Sequence, residues 1–337
     1  MSFALSVPAA ALAVALCAAA ARPAPPARPG PRLFAEGVVS TADDESNGSF
    51  SPDGAEYYFA KSNPYTTGPR WGILCVTRRR HGRWTPPEVL PFSGRSLDAA
   101  PRLSPDGREL YFTSARRAEN AARVWRIWVS RRTASGWGEP AVLPAPVNSE
   151  ESSNLSASVT RGGTIYFAST RGKDGHTHVY RARRDGDGYA EPELLGPEIN
   201  SAFHETDPFV SPDERLLVFA SSGDGLSEDR PETVQGGGVV YPRGDLYASV
   251  AEGGRWTAAR HLAGGVNSFA DESTPSISPD GATLFFTSER SPFSVPAPPG
   301  LTAPRIDRLL RATENGHGNV FSVPLGALGL PRGDPPR

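Results

Sequence analysis

Cysteine is almost absent from this protein, and its scarcity excludes a fold held together by disulfide bonds. The chain of 337 residues contains two cysteines, Cys17 and Cys75. Cys17 lies in an apolar leader, and one remaining cysteine cannot form an internal disulfide. Because Cys75 lies in the apolar run 73–76, we expect it to pack as a small buried hydrophobic residue rather than to act as a nucleophile.

The sequence also lacks an excess of charge of either sign. Lys and Arg number 35 and Asp and Glu number 37, which leaves a formal net charge of −2. A protein without a basic surplus has no global field to attract nucleic acid or acidic lipid, so we expect no nucleic-acid partner. No Gly-x-Ser-x-Gly nucleophile motif occurs either, and we predict no catalytic residue from a motif.

The first 21 residues differ from the rest of the chain. They are apolar, small and uncharged, and they end in alanines before Arg22 and a Pro-rich stretch. We interpret residues 1–21 as a signal peptide and 22–32 as a Pro-rich linker, which predicts a periplasmic or secreted protein with a new N-terminus near Arg22. The start, MSF, has no Lys or Arg, so an uncleaved membrane anchor is the alternative. Lipidation at Cys17 is disfavoured because Leu16 is large.

One phrase recurs five times and determines the predicted fold. Its clearest copies are PRLSPDGRELYFTS at 101–114, PFVSPDERLLVFAS at 208–221 and PSISPDGATLFFTS at 275–288, with looser copies at 48–60 and 157–169. Ser-Pro-Asp-Gly suits a type I turn closed by a left-handed glycine, so each phrase predicts a hairpin. Thr160 to Gly163 replaces the motif in the third copy, and Glu214 replaces the glycine in the fourth. We expect those two turns to be strained or remodelled.

Further strands follow each hairpin and complete a blade. A short apolar strand comes first. A second element then begins with an aromatic residue, often has Pro three residues later, and has Leu three residues after that. The aromatic residues of this second element are Trp84, Trp137, Tyr189 and Trp256. Pro favours an edge strand, and units of about 50 residues with four strands are typical of propeller blades. We expect these four aromatics to pack between neighbouring blades.

The repeat count predicts an all-β fold, a single five-bladed β-propeller at 33–325 with four strands per blade, followed by a flexible tail at 326–337. Only four complete outer strands follow the five hairpins. The segment LFAEGVVSTADDE at 33–45 echoes LAGGVNSFADE at 262–272. We therefore predict that the N-terminal segment supplies the outer strand of the last blade and closes the ring.

These turns and their Tyr- and Phe-rich strands, preceded by Glu-x-x-Pro or Asp-x-x-Pro, resemble the WD-like propeller repeats of the TolB type. The resemblance covers about residues 33–325. It implies an extracytoplasmic and usually non-catalytic propeller that holds protein or envelope partners. Related repeats also occur in peptidases and in enzymes that act on sugars.

One polar residue per blade lies six positions before each turn, where the inner strand begins. These residues are Glu45, Asp98, Asn154, Glu205 and Glu272. We expect them to surround the channel mouth as ligand-binding residues, together with His204 and Asp207 from the sequence HETD at 204–207. Capping of backbone N–H groups is the alternative, although we expect at least Glu205 and Glu272 to bind.

The same face receives two long insertions, at residues 222–244 and 290–318. RIDRLLRAT at 305–313 could form one or two helical turns. His176 and His178 form a pair without a third partner, which is a weak metal signal. The metal assignment is unknown, although Glu205, Asp207 and His204 could supply ligands to Ca²⁺.

The sequence favours a monomeric, non-catalytic binding scaffold for an envelope or extracellular protein, or for a glycan. No cofactor is expected, and the membrane is contacted only if the leader stays uncleaved. The alternative is a glycan-active five-bladed propeller enzyme, a hydrolase or metal-dependent lyase, that uses channel carboxylates. Carboxyl groups about 5–10 Å apart in a deep pocket favour hydrolysis.

Overall fold

The computed structural model describes residues 30–63, 71–116, 124–223, 244–292 and 300–332. The predicted signal peptide, most of the linker and the insertion at 224–243 lie outside these residues, as do 293–299 and the last five positions. Within the described residues, no helix combines the length and the apolar character that a membrane span requires.

The described chain forms five antiparallel blades around a central channel, which confirms the predicted all-β propeller. The inner strand of each blade contacts the inner strands of its two neighbours, so the five strands close a ring. The inner strands are β2 (Asp44–Phe50), β7 (Asp98–Leu103), β12 (Asn154–Val159), β18 (Glu205–Val210) and β23 (Glu272–Ile277).

Each inner strand pairs with a second strand through the predicted turn, and the second strand pairs with a third. The second strands are β3 (Glu56–Ser62), β8 (Glu109–Ser114), β13 (Ile165–Ser169), β19 (Leu216–Ser221) and β24 (Thr283–Ser288). The third strands are β4 (Gly72–Arg80), β9 (Arg126–Thr133), β14 (His178–Ala182), β20 (Asp245–Glu252) and β25 (Asn319–Pro324).

We number the blades 1 to 5 in the order of their inner strands along the chain. Short strands complete the outer edge of blades 1 to 4. They are β5 (Arg83–Trp84), β6 (Glu88–Val89), β10 (Gly136–Trp137), β11 (Ala141–Val142), β15 (Arg184–Asp185), β16 (Gly188–Tyr189), β17 (Glu193–Leu194), β21 (Arg255–Trp256) and β22 (Arg260–His261). Their aromatic residues pack between blades as predicted. Trp137 lies against Tyr58 of blade 1, and Trp256 lies against Tyr166 of blade 3, both edge to face.

The outer edge of blade 5 comes from the other end of the chain, as predicted. Strand β1 (Arg32–Leu33) pairs antiparallel with β25, with Arg32 opposite Ser322 and Leu33 opposite Phe321. Phe34 N–H then donates to Val320 O at 2.8 Å, and Val39 is fully buried. The ring therefore has no open seam between its first and last blades.

The hairpin turns have the predicted aspartate hydrogen bonds and left-handed glycines. In four of the five, the side chain of the turn aspartate accepts a backbone N–H two residues later. The glycine of the complete motifs is left-handed, with φ between 66° and 71° at Gly54, Gly107 and Gly281. Glu214 adopts the same conformation, with φ 59°, without a glycine's freedom. The expectation of a strained fourth turn is thus confirmed.

The C-terminal segment differs in part from the expected flexible tail. A 3-10 turn at Leu325–Leu328 follows β25, and Leu328 and Leu330 join the core cluster of blade 5. These leucines cover apolar surface that blade 5 would otherwise expose, so the packed chain continues to residue 330. The insertion before β25 contains α1 (Ala303–Leu310), which confirms the expected short helix.

Candidate functional site

We call the face where the inner strands begin the upper face, and the face that carries the Ser-Pro-Asp-Gly turns the lower face. Along each inner strand, the residues six, four and two positions before the turn occupy successive levels of the channel wall. The structure gives each of these three levels a different role.

The first level contains the five predicted ligand-binding residues, and all are inaccessible. Glu45, Asp98, Asn154, Glu205 and Glu272 are at most 1 % exposed. Their oxygens accept hydrogen bonds from nearby side chains rather than facing an open mouth. Glu272, for example, accepts from the Ser268 and Ser288 hydroxyls at 2.6 and 2.7 Å and from Ser268 N–H at 2.8 Å. Glu45 and Glu272 accept backbone N–H groups, as the capping alternative predicts, whereas the other three accept from side chains. None of the five faces an open mouth, so the expected ring of ligand-binding residues is corrected, and we call these five buried residues the caps.

Burial affects the charge of these groups. It raises the pKa of the Glu45 and Glu272 carboxyls, although hydrogen bonds from Thr41 and Ser268 and the charges of Lys61 and Arg290 oppose the effect. The nitrogen–oxygen distances are 3.2 Å for Lys61 and Glu45 and 3.5 Å for Arg290 and Glu272. In blade 2, Arg116 lies 2.9 Å from Asp98. Three of these carboxylates thus form an ion pair with a cation of their own blade.

The second level contains the one ionisable residue among the five equivalent positions, Asp207. The other four positions are Asn47, Ala100, Ser156 and Thr274. A β-bulge interrupts every inner strand here, and Ala100, Ser156, Asp207 and Thr274 are left-handed, with φ between 47° and 53°. A bulge redirects a side chain, and a non-glycine residue pays roughly 1–2 kcal/mol for this conformation.

Asp207 bridges the inner strands on either side of its own. Its Oδ1 accepts the Ser156 hydroxyl of blade 3, and its Oδ2 accepts a weak hydrogen bond from Thr274 N–H of blade 5 at 3.4 Å. The side chain remains partly exposed, whereas Ser156 and Thr274 are 8 % and 9 % exposed. Of the predicted site residues on the inner strands, only Asp207 therefore reaches solvent in the channel.

The third level contains Arg102, which the sequence analysis missed. This side chain of blade 2 is 5 % exposed. Its Nη1 donates to Gly48 O of blade 1 and its Nη2 to Pro275 O of blade 5, and its Cζ lies 5.8 Å from the Phe209 ring centroid of blade 4. Arg102 therefore crosses the channel. Burial lowers its pKa to about 10, and the charge of Asp207 opposes that shift.

Arg102 divides the channel into two parts. Below it lies a cavity of about 80 Å³ whose walls include Phe50, Leu103, Phe209 and Ile277, with the turn prolines at its rim. Above it is the level of the channel that contains Asp207, which we call the upper chamber. Of the other residues at this level, Asn47 is fully buried and bonded to blade 5, and Ala100, Ser156 and Thr274 are less than 10 % exposed, so Asp207 is its accessible polar group. A sequence signal for Arg102 existed, since Ser49, Ser158 and Ser276 occupy the equivalent positions of three other blades.

Large apolar side chains surround the upper face, and the sequence analysis missed these as well. Trp71 precedes β4 and is 49 % exposed, while Phe203 and Phe269 precede the inner strands β18 and β23 and are 38 % and 75 % exposed. Their positions before strands that begin on this face place all three at the upper face. The sequence signal for these residues was an aromatic side chain in each connection that leads into a strand on the upper face.

The histidines form a cluster between blades 3 and 4. His204 Nδ1 accepts Thr177 N–H at 3.1 Å, and its Nε2 lies 3.3 Å from His176 Nδ1. Because Nδ1 of neutral His204 is an acceptor, its proton lies on Nε2 and is donated to His176. Burial, together with the nearby His176, lowers the pKa of His204 and so favours this neutral form.

That tautomer leaves His204 Nε2 no free lone pair for a metal. Among the residues that the structure describes, no group of three His, Cys, Asp or Glu is arranged to hold a metal ion. The three residues considered as calcium ligands, His204, Glu205 and Asp207, therefore do not form such a group in the described part of the chain.

Comparisons with known proteins address the fold. No protein-family model matches the sequence, and no curated protein sequence matches it. The TolB-type likeness therefore remains a resemblance of the repeats.

Solved structures resemble the chain over most of its length. A thermostable family-43 glycoside hydrolase matches with a TM-score of 0.50 and 15 % identity, covering 90 % of this chain and 99 % of that one. The GH43 endo-arabinanase from Bacillus licheniformis matches with a TM-score of 0.43 and 10 % identity, covering 84 % and 96 %. A prolyl endopeptidase matches with a TM-score of 0.35 and 15 % identity over 69 % of this chain, which spans only 29 % of that enzyme. At 15 % identity the likeness to the family-43 glycoside hydrolase concerns the fold alone.

Proposed function

We propose that this protein recognises a glycan in the upper chamber, outside the cytoplasm. The observation that carries the proposal is Asp207, a partly exposed carboxylate held in a left-handed bulge and closed off from below by Arg102. Among the described residues, its oxygens accept the Ser156 hydroxyl and a weak hydrogen bond from Thr274 N–H, and no other donor. Lone pairs therefore remain for donors on a ligand.

The charge balance of the chamber favours an uncharged ligand. Arg102 offsets the charge of Asp207, so the chamber offers hydrogen-bond acceptors without a strong net field. Sugars present many hydroxyl donors and carry apolar C–H faces that pack on aromatic rings. Trp71, Phe203 and Phe269 provide such rings on the same face. The glycoside hydrolases of similar fold make sugars the first ligand class to test.

A hydrolase is the second candidate, and the same carboxylate favours it. Glycoside cleavage ordinarily needs two carboxyl groups, one of them an acid and the other a base or nucleophile. Asp207 is the one ionisable residue at its level of the five inner strands, and the carboxylates one level above are buried caps. Recognition without cleavage is therefore the function that these residues support best.

The test compares Asp207→Asn with wild type. We expect wild type to bind neutral oligosaccharides from arabinan or xylan in calorimetric titrations. Loss of a charged hydrogen-bond acceptor should weaken binding roughly 10- to 100-fold, since such bonds contribute about 1.5–3 kcal/mol. Asp187→Asn, at an exposed aspartate of the outer hairpin between β15 and β16, is the matched control and should bind as wild type does.

Four results would count against the proposal. Wild type that binds no neutral glycan contradicts it, as does Asp207→Asn with unchanged affinity. Capture of a protein by wild type with no glycan binding would support the scaffold expectation instead. Release of reducing sugar from arabinan or xylan by wild type, lost in Asp207→Asn, would replace recognition by hydrolysis.

A further inference from the structure

The caps of the inner strands differ between blades in the cation that balances them. Lys61 pairs with Glu45, Arg116 with Asp98 and Arg290 with Glu272. In blades 2, 3 and 5 the arginine follows two residues after the last serine of the second strand. These arginines are Arg116, Arg171 and Arg290. In blade 4 the equivalent position is Gly223, so the repeat supplies no arginine to Glu205.

His178 of the preceding blade takes the place of that arginine. Its Nδ1 lies 2.9 Å from Glu205 Oε2 and its Nε2 lies 2.7 Å from Asp174 Oδ2. Both carboxylates are acceptors, and only a protonated imidazole has two N–H groups to donate. Glu205 is fully buried, and its Oε1 also accepts hydrogen bonds from the Ser201 and Ser221 hydroxyls. One protonated histidine therefore joins blade 3 to blade 4.

The groups around His178 favour its charged form. Burial alone lowers the pKa of His178, but the hydrogen bonds that it donates to Asp174 and Glu205 outweigh burial and raise the pKa above its usual value. The same contact lowers the pKa of Asp174 to about 2. The other titratable groups that face His178 are His176, with ring centroids 6.3 Å apart, and His204, which remains neutral for the reason given above.

Loss of the proton from His178 has a direct structural cost. Neutral imidazole can donate to only one of the two carboxylates, and Glu205 is left as a buried charge without its counter-ion. Glu205 begins β18, and Asp207 lies two residues further along the same strand. Glu205 N–H also donates to Thr177 O at 2.8 Å, so this seam fixes the start of the strand.

We propose that His178 is a pH-sensitive clamp between blades 3 and 4, and that its protonation keeps β18 in the position that lets Asp207 bind a ligand. The clamp holds below the usual histidine pKa of about 6.5 and loosens as pH rises through the higher pKa of His178 in the folded protein. The expected effect of pH on stability depends on the clamp alone, whereas the expected effect of pH on binding also rests on the proposed glycan recognition.

The sign of the stability change follows from the raised pKa of His178. The clamp contributes fully below the usual histidine pKa of about 6.5, and its contribution is lost as pH rises through the higher value of the folded protein. Each unit between the two values corresponds to about a tenfold change in the folding equilibrium constant. Stability should therefore decline from about neutral pH into the alkaline range.

The experiment measures urea unfolding of wild type and His178→Gln between pH 5.5 and 9. We expect the unfolding midpoint of wild type to fall with pH, and that of His178→Gln to be low throughout and to lack this decline. Arg290→Gln is the matched control, because it removes a cation that does not titrate in this range. Its midpoint should be lowered by a constant amount while the wild-type pH dependence persists.

A second variant and a direct titration keep the test decisive if His178→Gln folds poorly. Gly223→Arg restores the arginine of the other blades and should remove most of the decline. A Cβ at Gly223 meets Phe203 Cδ2 at 3.1 Å and Ser221 Oγ at 3.2 Å, so the exposed Phe203 ring and the Ser221 hydroxyl must each move by a few tenths of an ångström. NMR titration of wild type should give His178 a pKa above that of His204.

The outcomes separate the clamp from the glycan proposal. Equal pH slopes in wild type and His178→Gln, or a His178 pKa below 6.5, overturn the clamp whatever the protein binds. If the clamp is found but no glycan binds, only its link to Asp207 fails. If both hold, glycan affinity of wild type should decline over the same pH range as the unfolding midpoint.

Discussion

At the scale of single residues, the inner strands begin with side chains that are withdrawn from water and surrounded by donors. A buried carboxylate is tolerated when hydrogen bonds and a nearby cation replace its hydration. Serine and threonine hydroxyls, backbone N–H groups and one cation supply this at Glu45 and Glu272. Such residues hold the start of a strand in place, and their burial leads us to expect an effect on stability rather than on binding.

Glu272→Gln tests this role. The oxygens of Glu272 accept from Ser268 and Ser288 and form an ion pair with Arg290, so an amide NH2 group would face a donor and lose at least one hydrogen bond. We expect the free energy of unfolding at pH 7 to fall by about 1–3 kcal/mol in urea titrations, with glycan affinity unchanged. Glu88→Gln, at an exposed surface pair, should change stability by less than about 1 kcal/mol. A weakened affinity with unchanged stability would restore the binding role.

At the scale of elements, the repeats predicted the hairpins, the blade count and the closing strand because each depends on local signals. Turn residues fix a hairpin, and the echo of 262–272 at 33–45 located the missing strand. The direction of the side chains in the channel could not be predicted in this way. The bulge and the left-handed residues Ala100, Ser156, Asp207 and Thr274 change the alternation, and no turn motif marks them.

The sequence analysis missed other residues because their contacts join positions that are far apart in the sequence. His178 precedes Glu205 by 27 residues, and Arg102 precedes Pro275 by 173, so neither contact leaves a spacing that the sequence could reveal. The packed C-terminal leucines were missed because they follow the last recognisable strand. The aromatic residues between blades were predicted, because they recur at one position of the repeat.

Phe34 tests the contribution of the closing strand. Its ring packs edge to face against Phe50, Tyr57, Trp84 and Phe285, at centroid distances of 4.9 to 5.8 Å, and so connects blades 1 and 5. Because Phe34 is only partly buried, we expect Phe34→Ala to lower the free energy of unfolding by about 2–4 kcal/mol, somewhat less than the loss of a fully buried phenylalanine.

Deletion of residues 22–42 should lower the melting midpoint further, because it also removes β1 and the buried Val39. Leu194→Ala is a matched control on an outer strand, where the leucine is 55 % exposed, and should have little effect. An unchanged midpoint in both Phe34→Ala and the deletion would show that the ring does not depend on this closure.

At the scale of the whole molecule, Arg102 connects blades that are distant in sequence. It belongs to blade 2, donates to carbonyls of blades 1 and 5, and lies against Phe209 of blade 4. A packed axis of this kind makes the five blades depend on one another during unfolding. It also means that the channel does not pass freely from one face to the other.

Arg102→Ala should destabilise the entire ring. The substitution leaves the carbonyls of Gly48 and Pro275 without this donor and removes the cation beside Asp207. We expect a loss of about 3–6 kcal/mol in the free energy of unfolding, because two hydrogen bonds from a charged donor are lost and each contributes about 1.5–3 kcal/mol. Arg131→Ala, at a largely exposed arginine paired with Glu109, should cost less than about 1 kcal/mol. Equal effects of the two substitutions would contradict the structural role of Arg102.

The arginine on the axis also limits how alike the five repeats can become. Space at the centre of a ring is shared by all blades, so a long side chain contributed by one blade excludes the same side chain from the others. The five positions are accordingly Ser49, Arg102, Ser158, Phe209 and Ser276. Five identical copies would bring either five cations or five small hydroxyls to the same point. Duplication alone could therefore build the blades of such a protein, but its centre requires the copies to diverge.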